Sequence, residues 1–167
     1  LEGKKITRLS DAQLKEKIAA LSLDLKREGL KNRLVVKAFA CIREAAFRTV
    51  GMKHYGVQIA GASAMLKGML AEMNTGEGKT LVATLAAYRK AISGKGVHGI
   101  TGNDYLVKRD AGWMGEVYHA LGLTVGCLQN NASWVYDPEV EHVVDDDGET
   151  KLNPDGPFNP ASKREAY

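Results

Sequence analysis

The stretch Thr75-Gly76-Glu77-Gly78-Lys79-Thr80 constrains the fold of this chain more than any other. It follows a short apolar piece, Met69-Leu70-Ala71-Glu72-Met73, and opens the segment KTLVATLAAYRKAIS, which turns apolar at helical spacing. A tight turn does not need a Lys-Thr pair, and a helix start does not need two glycines. Gly76 and Gly78 permit backbone angles and a close approach that side chains would block. Their N–H groups, with those that follow, can converge on phosphate oxygens. A helix beginning at Lys79 adds the positive end of its dipole. Lys79 can reach β- and γ-phosphates, and the Thr80 hydroxyl can ligate Mg²⁺. The six residues therefore predict a phosphate loop set between a strand and a helix.

The flanking pattern predicts an α/β fold. Strands are expected at 69–73, 96–101 (GVHGIT) and 123–128 (LTVGCL), with helices at 79–93 and from about Asp104 to Leu121. Strand, helix, strand, helix, strand is the order of a parallel sheet with right-handed crossovers. Two amphipathic helices stand in front as a separate apron. Residues 10–27 carry a Ser10–Gln13 capping box and an apolar face of Leu14, Ile18, Leu21 and Leu25. Residues 33–50 place Val35, Phe39, Ile42, Ala46 and Val50 inward, with Cys41 as a small packed residue. The chain thus divides into a helical segment, 1–51, and a nucleotide-binding part, 52–167. Residues 130–163, which hold all four prolines, read as an irregular insertion with one weakly alternating piece near WVYDPEVEHVV as a hairpin arm, and its Asp145–Asp147 run as a solvated loop rather than a metal site.

Composition removes several classes. The formal net charge is +3, too small to argue for nucleic acid. Cys41 and Cys127 lie far apart with no CxxC pair, so no zinc site is read and a reducing compartment is expected. No run is long and apolar enough to span a bilayer, and the opening LEGKKITRLSD is no secretory signal. Leu1 in place of a Met implies that this is part of a longer chain.

The loop departs from the general pattern G-x-x-x-x-G-K-[ST], because Met73 stands where the first Gly belongs. It matches instead the T-G-x-G-K-T form of helicase-like motors. Gln58, in MKHYGVQ, lies about one helix upstream. A Gln amide can pair with the N6 and N7 edge of adenine, and Tyr55 can stack nearby. His54 beside them is expected to be structural or exposed. In TGNDYLVKRDAGWMGEVYHALGLTVG, Asn103 or Asp104 caps a helix. Its buried stripe is read as Tyr105, Leu106, Trp113, Met114, Val117 and Leu121, with Lys108 and Arg109 facing solvent or an acid.

MKHYGVQIAGASAMLKGMLAEM, AEMNTGEGKTLVATLAAY and GKGVHGITGNDYLVKRDAGWMGEVYHALGLTVG together resemble the SecA family of preprotein-translocating ATPase motors. The likeness runs from about Leu9 to Gly126 and resumes at Arg164-Glu165-Ala166-Tyr167. It implies a partial RecA-like P-loop parallel sheet behind the helical apron. It implies ATP or ADP with Mg²⁺ as ligands, Gln58 as the residue reading adenine, and Thr75, Gly76, Glu77, Gly78, Lys79 and Thr80 as the phosphate loop, with Lys79 and Thr80 catalytic. Preproteins, a membrane channel, an acidic lipid surface and a homodimer are the implied partners, without specific nucleic acid. The implied place is the cytoplasm, at the inner face of the bacterial plasma membrane. The remaining catalytic acid and arginine would follow Tyr167. Gly102, Asn74, Gly56 and Ala62 depart from the family's usual Val, Arg or Lys, Asp and Gly. Two rival readings stay open: a DEAD-type RNA helicase domain, against which TGNDYL and the modest charge argue, and a non-enzymatic interaction module.

Overall fold

The computed structural model describes residues 2–29, 31–92, 94, 96–140, 142–144, 150–152, 156–162 and 165–166. The expectations for Asp145–Asp147, Arg164 and Tyr167 lie outside these residues. Helix α1 spans Glu2–Ile6, α2 Asp11–Glu28, α3 Asn32–Val50, α4 Gly56–Leu66, α5 Lys79–Ala91 and α6 Asp104–Ala120. Strands β1 Gly126–Leu128, β2 Ser133–Tyr136, β3 His142–Val144, β4 Thr150–Leu152 and β5 Phe158–Pro160 follow.

Helix α2 begins where its sequence directs. The Ser10 hydroxyl accepts from the Gln13 N–H, and the Gln13 side chain accepts from the Ser10 N–H. Its face of Leu14, Ile18, Leu21 and Leu25 is buried as the spacing requires. Helix α3 is the central element, packing against α1, α2, α5 and α6. Leu34, Ala38, Cys41, Ile42 and Ala46 are fully buried on it, and Val35 and Val50 are only half-buried. Arg48, near its end, donates to Asp11, to the half-turn carbonyl of Leu9 and to the buried Glu44 carboxylate. One guanidinium thereby fixes the start of α2 on the end of α3. A single apolar core runs from Ile6 through these helices to Leu81, Leu85, Met114 and Leu121. Cys41 belongs to it, and burial pushes its thiol up to about 11, which removes it as a nucleophile.

The strands differ from expectation. Residues 69–73 and 96–101 form no strand, and the three-stranded sheet present, in the order β1-β2-β5, is antiparallel throughout. A strand persists only where neighbours satisfy its backbone groups and cover its side chains. Among the described residues neither segment joins a sheet, and their apolar side chains are unevenly covered: Leu70 is 97% exposed and Ile100 94%, while Met73 packs against the main core. The expected strand 123–128 keeps only its last half. It pairs Cys127 with Trp134 and Leu128 with Ser133 in a short hairpin. A local antiparallel partner closes a far shorter loop than a crossover does, so β1 pairs with β2, and Trp134–Tyr136 lies in the piece expected as a hairpin arm.

This small sheet packs on α6 through a second core of Cys127, Tyr136 and Phe158. The Gln129 amide donates to the Asp104 carbonyl, and the Trp134 indole donates to Gln129. Gly115 makes the approach possible, since a Cβ there would stand 2.4 Å from the Tyr136 ring. Met114, Val117 and Leu121 form the inward stripe of α6, but Tyr105 is 71% exposed. Tyr105 and Trp113 instead line a groove of 570 Å³ with Lys108, Arg109 and Phe158. The sheet claims the face of α6 that the apolar spacing assigned to a single core. Among the described residues, no helix is long and apolar enough to cross a membrane.

Candidate functional site

The glycine loop sits at the mouth of α5, against α4. Gly78 is the residue before the helix and takes the left-handed conformation, with φ 77°. Helix α5 has no side-chain cap, so the N–H groups of its first turn remain open to an outside acceptor. Lys79 is exposed and Thr80 half-buried at that end. The loop carries internal bonds of its own. Lys79 Nζ donates to the Asn74 carbonyl at 2.9 Å, and the Glu77 carboxylate accepts from the Asn74 N–H at 2.7 Å. The donor set, backbone N–H groups beside one ammonium and one hydroxyl, fits a polyphosphate. Among the described residues no cluster of three or more His, Cys, Asp or Glu could hold a metal ion.

Gln58 is brought into this site. It lies on the first turn of α4, 5% exposed. Its Oε1 accepts from the Tyr55 N–H, and its Nε2 donates to the Glu77 carbonyl, both at 2.9 Å. Each of these atoms keeps one further bonding position. Gly78 answers to this contact as well as to the loop, because a Cβ there would lie 2.6 Å from Gln58 Nε2. Tyr55 stands beside it, 71% exposed. Gly56 and Ala62, two of the departures from the family's usual residues, lie in α4, Ala62 fully buried and Gly56 exposed. Gly102 is exposed before α6, where the Asn103 side chain accepts from the Leu106 N–H.

His54 has a larger part than its sequence context signals. It is 1% exposed. Its Nε2 lies 2.9 Å from the Leu81 carbonyl and 3.1 Å from the Thr84 hydroxyl, both on α5. Its own carbonyl accepts from Arg43 Nε of α3 at 2.8 Å. Burial lowers the imidazole below its ordinary value; the Leu81 bond opposes this and the nearby Arg43 charge reinforces it. A lone His between Lys53 and Tyr55 carries no pattern that announces such a role.

The likeness to known proteins runs along nearly the whole chain. The family model described as the SecA DEAD-like domain matches residues 2–167. The chain is 47% identical over 165 residues to the protein translocase subunit SecA of Thermodesulfovibrio yellowstonii, covering 97% of this chain and 18% of that one. It is 46% identical to the protein of the same name from Chloroflexus aurantiacus, over 99% of this chain and 16% of the relative. Against the Ehrlichia canis protein translocase subunit SecA, identity is 55% over 120 residues, 72% of this chain and 14% of the relative. The chain belongs to the SecA family. It spans less than a fifth of the length of these curated relatives. The range matched by the family model includes residues 130–163.

Proposed function

We propose that this chain supplies the adenine- and phosphate-binding part of an ATP site in a motor that drives preproteins through a membrane channel. The observation that carries the reading is the bond from Gln58 to the Glu77 carbonyl, which holds a base-reading amide against the phosphate loop. In this reading Thr75, Gly76, Glu77 and Gly78 form the cradle, Lys79 supplies charge to the β- and γ-phosphates, and the Thr80 hydroxyl ligates Mg²⁺. Bound Mg²⁺ would supply charge neutralisation on the phosphates. Gln58 would use its remaining donor and acceptor positions on adenine.

The finer architecture belongs to the same proposal. In the intact protein the segments 69–73 and 96–101, which join no sheet among the described residues, would be strands of a RecA-like parallel sheet. Their bare apolar side chains, Leu70 and Ile100 above all, support this. Residues 1–51 form the helical apron and 52–167 the nucleotide-binding part, with 130–163 inserted. Residues 1–53 carry 13 Lys and Arg against 6 Asp and Glu, which suits an acidic lipid surface and a peripheral place at the inner face of the plasma membrane. Preproteins, the channel and a second copy are the proposed partners.

The test is nucleotide binding and turnover in the intact protein. Lys79→Ala is expected to abolish ATP hydrolysis and leave the fold in place, because Lys79 is exposed and, among the described residues, its ammonium bonds only to the Asn74 carbonyl. A wild-type hydrolysis rate in that variant would sink the assignment.

A further inference from the structure

Two side chains bracket the phosphate loop. Gln58 bonds the carbonyl of Glu77, and His54, four residues earlier, bonds the carbonyl of Leu81, four residues later. Between those two carbonyls lie Gly78, Lys79 and Thr80. The two brackets are themselves joined, since Tyr55, next to His54, donates its N–H to Gln58 Oε1. The result is a closed ring of covalent and hydrogen bonds around the lysine and threonine of the site. Arg43 anchors it to α3 through the His54 carbonyl.

The His54 ring is oriented, not merely enclosed. A carbonyl acceptor at 2.9 Å requires the proton on Nε2. The Thr84 hydroxyl donates to the same carbonyl at 2.7 Å, which leaves its oxygen free to accept. Nδ1 is buried without a partner. An apolar ring of similar size would fill this space without that unsatisfied nitrogen, so the Nε2 donor is the feature of the residue that its surroundings use.

We propose that His54 is a positioning residue that fixes Gln58 relative to the Gly76–Thr80 loop and thereby sets the base selectivity of the nucleotide site. The proposal rests on the adenine-nucleotide reading. A nucleotide must engage the loop through its phosphates and Gln58 through its base at once, so the separation of the two decides which base fits. With the His54 ring removed, Gln58 keeps its bonds to the Tyr55 N–H and the Glu77 carbonyl, but the Leu81 carbonyl at the loop's helical end is released from the lead-in to α4. The phosphate cradle keeps its own groups.

The experiment measures the Kd of ADP, GDP and inorganic pyrophosphate for the intact wild-type protein and for His54→Ala, His54→Gln and His54→Phe. In the alanine variant the preference for ADP over GDP is expected to fall about tenfold, the size of one good base-edge contact, with pyrophosphate affinity unchanged. His54→Gln retains an N–H donor at this reach and should recover the preference. His54→Phe fills the space without a donor and should not, which decides the matter if the alanine variant fails to fold. Unchanged selectivity in folded His54→Ala or His54→Phe overturns the proposal, as does a parallel loss for all three ligands. If the wild type binds ADP no better than GDP while binding pyrophosphate, or binds none of them, the adenine reading itself fails and this proposal with it.

Discussion

Gln58 Nε2 donates to the Glu77 carbonyl at 2.9 Å across 19 residues of sequence, and the contact passes directly over Gly78. The missing Cβ of Gly78 is thus shared by two requirements, a backbone with φ 77° and an amide that would otherwise meet it at 2.6 Å.

Gly78→Ala should therefore do more harm than its solvent position implies. Forcing a Cβ into the left-handed region costs about 1 kcal/mol, and displacing the Gln58 amide adds about 1 kcal/mol for a lost buried bond. Thermal unfolding should show the sum as a Tm lower by several degrees. Adding Gln58→Ala to Gly78→Ala should recover only the part due to collision, since the backbone strain remains. Full additivity of the two changes would show that they do not touch.

Gly115→Ala tests the seam between α6 and the small sheet. Its Cβ would stand 2.4 Å from a Tyr136 ring that is 6% exposed and cannot swing away freely. Overpacking of this kind costs about 1–3 kcal/mol. Amide exchange should rise in β2 and β5 before it rises in α2 and α3. A variant with wild-type exchange in β2 would contradict the packing described.

Stability should fall in mild acid because of His54. Its folded-state value is lowered, so the unfolded chain takes up the proton first as pH drops below about 6.5. The stability it leaves intact above that point is lost as pH falls towards the folded value, by up to about 1.4 kcal/mol per unit. Arg43 on α3 is the charged group that opposes protonation, while the Leu81 and Thr84 groups on α5 and the Gln58 amide on α4 do not titrate there. Urea midpoints measured between pH 5 and 8 should show this slope, and His54→Gln should flatten it. An identical slope in that variant would place the titration elsewhere.

Residues 1–167 prepared alone should self-associate. Leu70 and Ile100 are almost wholly exposed on segments that join no sheet among the described residues, and Met69, next to Leu70, is 60% exposed. Such edges pair with other chains. Sedimentation should show concentration-dependent species that Leu70→Lys with Ile100→Lys reduces. A clean monomer at about 100 µM, a stringent case under mass action, would count against it.

The elements whose signal is local were legible in the sequence. The Ser10–Gln13 box and the Leu14–Leu25 face place α2, and Gly78-Lys79-Thr80 places the start of α5, because caps, spacing and glycine angles act within a few residues. What escaped depended on distant partners. Met69–Met73 reads as a strand from its composition, yet strand formation belongs to the neighbour as much as to the segment. Tyr105 and Trp113 read as core by their spacing, but β2 and β5 reached the other side of α6 first. His54 was unreadable for the same reason: its meaning lies in Leu81 and Thr84, 27 and 30 residues away.

The contact of Lys79 with the Asn74 carbonyl sets the terms on which this lysine could serve the proposed ATP site. Reaching a phosphate would exchange a neutral oxygen acceptor for a charged one, which makes the stronger bond. The ammonium would trade one partner for another, so its gain in the proposed site would be the difference between two bonds rather than the whole of one.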